Sequence, residues 1–133
     1  MIAVGLGCRR DCAVEDIVAA VMAALAQAGR GLDEVSALYA PDVRRDAPAL
    51  FDAAAHLGKH LEFIATAQLI ERSGEALTHS ARVQARLGVP SAAETAALVG
   101  ALFTASGGTR ARLLAPRSVA GAATCALAII EGA

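Results

Sequence analysis

The sequence predicts a three-layer α/β domain: a mixed, mostly parallel sheet of about five strands with helices on both faces. Three observations lead there. Short apolar runs of strand length alternate with helix-period stripes through most of the chain. Glycine or proline stands where the helical stretches should begin or end. The last two apolar runs are joined by too few residues for a crossover helix, so they should pair antiparallel. One domain over residues 1–133 is expected, because the length divided by about 150 residues per domain comes to about one.

Ile2 to Leu6 reads as a buried first strand. Val14, Ile17, Val18, Val21 and Leu25 form one apolar stripe of a 3.6-residue period, with Gly29 placed for a left-handed cap. Cys12 is expected at the N-cap of that helix. Val35 to Tyr39 is a second strand, ended by Pro41. Pro48 suits the first turn of a helix carrying Leu50, Phe51, Ala54 and Leu57 and closed by Gly58. Leu61 to Ala65 reads as a third strand, and Thr66 as the cap of a short helix through Ile70. Residues 73 to 78 are polar and loop-like. Ser80 opens a two-turn helix ending at Gly88. Ser91 and Glu94 have the spacing of a capping box, which opens a helix to about Phe103. After Ser106-Gly107-Gly108 come two strands, Ala111 to Ala115 and Thr124 to Ile130, with a loop between them.

Composition narrows the function. The formal net charge is −1, and there is no Trp, one Tyr and three Phe. The chain therefore lacks both the basic excess of a nucleic-acid binder and the rings on which bases stack. Low charge and high apolar content exclude disorder. Three cysteines form no disulfide framework, which fits a reducing cytoplasm. Met1 to Gly7 is too short for a signal peptide, and no run approaches the ~18 apolar residues of a membrane span. A cytoplasmic protein with no membrane partner is expected.

The turn after the first strand, Gly5-Leu6-Gly7-Cys8-Arg9-Arg10-Asp11-Cys12, is the richest in chemistry. In open α/β sheets, ligands bind at the carboxyl ends of strands. Arg10 stands where a dinucleotide fingerprint needs its third glycine, so a nicotinamide cofactor is not expected. The exit of strand two adds Arg44 and Arg45, and a parallel later strand would bring Arg117 to the same edge. Convergent arginines make an anion-binding cleft on a near-neutral chain, whereas ordinary pairing with Asp42 and Asp46 is the plain alternative. Cys8 beside two arginines would have its thiolate favoured, although a small turn residue is the simpler role. The cysteines, and His56 and His60 separated by Gly58, do not match a zinc-ligand pattern. No metal and no cofactor are expected. No catalytic triad can be assembled either, and Ser80, His79 and Cys8 are the weak candidates for a base or nucleophile.

These residues resemble the family of CbiG C-terminal domains and stand-alone CobE-type proteins of cobalamin biosynthesis. The likeness rests on Val4-Gly5-Leu6-Gly7-Cys8-Arg9-Arg10; on Asp42 to Leu50 with Arg44, Asp46 and Pro48; on Ser80, Leu87-Gly88-Val89 and Ala93 to Leu98; and on Leu113 to Arg117 with Gly121 and Thr124 to Ala128. Arg44 and Arg117 stand where the family commonly has lysine, which keeps the charge. Ala47 replaces an acidic residue and Ala49 a glycine, and the first change weakens any acid–base role for that loop. The resemblance implies a precorrin or corrin as small-molecule partner, with other corrin-pathway enzymes as further partners. It implies either handling of a carboxylate-rich intermediate in the aerobic pathway or, as in CbiG-type proteins, lactone opening with release of acetaldehyde. Carried onto this chain, the binding surface comprises Gly5, Gly7, Cys8, Arg9, Arg10, Arg44, Asp46, Ser80, Glu94, Arg117 and Thr124, with catalytic residues unassigned.

Overall fold

The computed structural model describes residues 1–104 and 110–131. Its strands are β1 (Ile2–Cys8), β2 (Val35–Pro41), β3 (Leu61–Ile64), β4 (Arg110–Leu113), β5 (Ser118–Ala120) and β6 (Ala123–Glu131). Its helices are α1 (Val14–Ala28), α2 (Pro48–Leu57), α3 (Thr66–Glu71), α4 (Ala81–Leu87) and α5 (Ala92–Thr104). Single 3-10 turns at Leu32–Glu34, Asp42–Asp46 and Ser73–Glu75 complete the order. The expected Ser106-Gly107-Gly108 turn lies outside the described residues.

The sheet runs β3-β2-β1-β6-β4, with β5 also on β6. The first three strands are parallel, and β6 is antiparallel to β1, β4 and β5. The three-layer α/β architecture expected from the sequence is therefore present, with a sixth strand added. The connection read as a loop between the last two predicted strands contains β5, which continues the sheet edge begun by β4. Pro116 lies between the two, where a missing amide interrupts the ladder. Gly121, at φ 56°, makes the tight turn into β6.

Strand alternation divides the core. Ile2, Val4 and Leu6 point with Leu38, Cys125 and Leu127 toward α1 and α2, where Ile17, Val21, Leu25 and Leu50 meet them. Ala3, Ala37, Tyr39, Ala126 and Ala128 point toward α5. Gly5 shares that second face: a Cβ there would run into the Ala93 carbonyl and the Ala97 amide. Gly100 likewise leaves room for the Tyr39 ring.

Several local expectations change. The N-cap of α1 is Ala13, with no side-chain cap, and Cys12 is instead buried in the core. Thr66 is the first residue of α3, after an N-cap at Ala65. Ser80 does cap α4, its Oγ accepting from the Val83 amide at 3.3 Å. The capping box at α5 is half formed: Ser91 Oγ accepts from Glu94 N at 3.2 Å, but the Glu94 carboxylate turns away to other donors.

Candidate functional site

Parallel β1 and β2 deliver their carboxyl ends side by side, and the β5–β6 turn closes on them from the antiparallel half of the sheet. A cleft of about 640 Å³ opens there, within the usual range for small-molecule sites of roughly 300–1,000 Å³. Gly7, Cys8 and Arg9 come from β1 and its exit, and Pro41, Val43 and Arg44 from the end of β2. The opposite wall is α4, contributing Arg82, Val83, Arg86 and Leu87, with its cap Ser80. Ala92 of α5 and Arg117, Gly121, Ala122 and Thr124 complete the lining. A second depression of about 600 Å³ shares Arg9, Arg44, Arg82 and Arg86 and adds Arg10, Asp11 and Asp46.

Six arginines and two aspartates thus surround one region of a chain whose net charge is −1. Arg44 bonds to Asp46 at 3.3 Å. Among the described residues, Arg9, Arg10, Arg82, Arg86 and Arg117 have no carboxylate within ion-pair distance of their guanidinium groups. Like charges gathered in a concave surface focus a positive potential and draw anions. The apolar lining from Val43, Val83, Leu87, Ala92 and Ala122 supplies a second kind of contact.

The thiolate alternative for Cys8 loses its support, and the simpler role is favoured. Burial and a hydrogen bond with Cys12 push the Cys8 thiol up to about 12, outweighing the opposite pull of Arg44. Cys8 therefore lines the cleft as a protonated thiol. Thr124 is a strand residue whose hydroxyl donates to the Gly7 carbonyl at 3.3 Å. A side chain at Gly7 would meet that hydroxyl at 2.6 Å, so the glycine keeps β1 seated beside Thr124.

The structure brings Gly7, Cys8, Arg9, Arg44, Ser80, Arg117 and Thr124 to the cleft, and Arg10 and Asp46 to the adjoining depression. Two expected residues stand apart. Gly5 is a packing position beneath α5, and Glu94 is fully buried behind the cleft wall. Arg45, expected at the same edge, lies over the Phe63 ring at 4.7 Å. Arg82 and Arg86 were missed. They are four apart on the helix that Ser80 caps, hence on one face, but nothing in the sequence says which wall that helix will form. None of His56, His60 and His79 lines either depression. Among the described residues, no three His, Cys, Asp or Glu side chains come together as a metal site, and no helix is long and apolar enough to cross a membrane.

The chain is thus a three-layer α/β domain with a basic, partly apolar cleft at its strand ends. Residues 2–128 match the family described as Cobalamin synthesis G C-terminus, and the chain belongs to that family. It is a protein of cobalamin biosynthesis. It is 35% identical over 124 residues to Protein CobE of Sinorhizobium sp., covering 93% of this chain and 77% of the relative. The crystal structure of CobE, from the cobalamin (vitamin B12) biosynthetic pathway, superposes with a TM-score of 0.90 at 36% identity, over 99% of this chain and 93% of that one. Cobalamin biosynthesis protein ChiG from Agrobacterium tumefaciens gives 0.73 at 34% identity, over 99% and 100%.

Proposed function

We propose that the cleft binds a carboxylate-rich precorrin or corrin intermediate and that the protein handles this molecule in the aerobic pathway. The observation that carries the reading is the convergence of Arg9, Arg44, Arg82, Arg86 and Arg117 on one cleft that also has apolar walls. A corrin has the complementary form, an apolar macrocycle edged with carboxylates. Guanidinium–carboxylate contacts are the strong, directional class of hydrogen bond. The apolar lining would cover part of the ring.

Lactone hydrolysis is the second reading, favoured by family membership. It needs a general base or an activated nucleophile beside the anion site. Among the described lining residues, Ser80 is committed to capping α4, the Thr124 hydroxyl donates to the Gly7 carbonyl and Cys8 is held protonated. In the adjoining depression Asp46 is paired with Arg44, which leaves Asp11 as the candidate base. His79 is exposed and does not line the cleft. Binding is the reading these side chains favour.

The test mixes purified protein with cobyrinic acid, a polycarboxylate corrin, and separately with an analogue whose peripheral carboxylates are amides. Saturable absorbance changes with the acid, and binding at least tenfold weaker with the amide, are expected. Equal binding of both would sink the carboxylate reading. Acetaldehyde released catalytically from a lactone-bearing precorrin would replace the binding role with the hydrolytic one.

A further inference from the structure

Glu94 is fully buried, yet it packs at the first turn of α5 among alanines. A lone buried carboxylate is costly unless its oxygens are satisfied. Here they are. Oε1 accepts from Leu77 N at 2.9 Å, Thr78 N at 2.8 Å and Thr78 Oγ1 at 3.0 Å. Oε2 accepts from Arg117 N at 3.0 Å. The positive end of the α5 dipole adds to this.

The donors come from two segments far apart in sequence, and each leads directly into the cleft. Thr78 is two residues before Ser80, which opens the wall bearing Arg82 and Arg86; Arg117 is itself a lining residue. The α4 wall has no fully buried residue of its own. Its described anchors are the Glu94 bonds before it, the Ser80 N to Pro90 carbonyl bond at 2.8 Å, and the contacts of Val83 and Leu87 with the core. An apolar side chain in its place would leave these four donors without their acceptor. A carboxylate with one oxygen on each wall does something an apolar group cannot: it fixes their separation.

Building on the cleft reading above, we infer that Glu94 is a positioning residue that holds the Arg117 turn and the α4 wall in register, so that their arginines meet one polyanionic ligand together.

The substitution Glu94→Gln separates the two arms. The amide oxygen can keep the three donors of Leu77 and Thr78, which leaves the NH₂ group facing the Arg117 amide, donor against donor. Amide hydrogen exchange of the ligand-free protein should show Arg117 losing protection at least tenfold while Leu77 and Thr78 keep theirs. In titrations with cobyrinic acid, Glu94→Gln should weaken binding about five- to fiftyfold. Glu94→Gln with Arg117→Ala should bind within twofold of Arg117→Ala alone, whereas Glu94→Gln with Arg82→Ala should show both losses in full. A merely structural role would lower stability yet leave the Arg117 pair additive. Unchanged Arg117 protection, or additivity with Arg117→Ala, would overturn the inference.

Should Glu94→Gln fail to fold, Thr78→Val decides. It removes one donor from the α4 arm and should weaken binding two- to fivefold, with no further loss in an Arg82→Ala background; full additivity there would count against the inference. If wild-type protein does not bind cobyrinic acid, the cleft reading fails, and the exchange measurement alone then judges whether Glu94 orders the two walls.

Discussion

The two faces of the sheet differ in what they set opposite their main helices. Toward α1 and α2, bulk fills the space: Ile2, Val4, Leu6 and Leu38 interlock with Ile17, Val21, Leu25 and Leu50. Toward α5, the sheet offers Gly5, Ala3, Ala37, Ala126 and Ala128 beside the single large ring of Tyr39, and the helix replies with Ala93, Ala96, Ala97 and Gly100. Small residues bury little area each, so this face gains from close approach. Close approach sets the first turn of α5, and with it Glu94, directly behind the ends of β1 and the Arg117 turn. The aliphatic face holds the domain together. The alanine face places the cleft.

The contrast can be broken by substitutions of opposite size. The largest effect belongs to the aliphatic face: Leu50→Ala empties a fully buried site and should cost about 2–5 kcal/mol in urea unfolding. A loss below about 1 kcal/mol would mean the face collapses easily and bulk is not what holds it. Next comes the alanine face, where adding one methyl should hurt. Gly5→Ala meets backbone of α5 and should cost about 1–3 kcal/mol. On a surface with room, the same change would be neutral or mildly stabilising, and that result would show α5 to be loosely seated.

The smallest effect on stability, but a sharp one chemically, concerns Cys8. With its thiol raised from 9.0 to about 12, alkylation by iodoacetamide at pH 8 should run roughly a thousandfold slower than for a free cysteine. The sign of the linkage follows: the folded state holds this proton more tightly, so the contribution to stability is present below about pH 9 and is lost as pH rises toward 12. Site-resolved mass spectrometry that finds Cys8 modified as fast as a model thiol would restore the reactive-thiolate reading.

Most of the fold was legible because its signals are local. The α1 stripe, Gly29 and Gly58 at left-handed caps, Pro48 at a helix start and Ser80 as a cap all act within a few residues. The β5 strand escaped because its three residues pair with β6 across a glycine turn and carry no alternation of their own. Half of the α5 cap escaped for a different reason. Ser91 and Glu94 have the right spacing, but the loop at Leu77 and the amide of Arg117, distant in sequence, compete for the carboxylate and win. The arginines at strand ends were readable once the strands were known. Arg82 and Arg86 were not, since only the three-dimensional path through residues 71–91 turns that helix toward the β1 edge. Gly5 could have been read as a packing glycine from Ile2-Ala3-Val4-Gly5-Leu6-Gly7, where large and small residues alternate strictly.

In the proposed function, arginines from both walls hold the carboxylates of one ligand. The most direct measurement is a spectroscopic titration of cobyrinic acid against Arg9→Ala, Arg44→Ala, Arg82→Ala and Arg117→Ala, each checked for wild-type folding. Each partly desolvated guanidinium–carboxylate contact is worth roughly 1.5–3 kcal/mol, so every variant should bind about ten- to a hundredfold more weakly than wild type. Arg9→Lys should fall between wild type and Arg9→Ala, because a lysine cannot reproduce a bidentate contact. Binding by all four alanine variants as tight as wild type would contradict the account, leaving these arginines as surface charge and the ligand elsewhere.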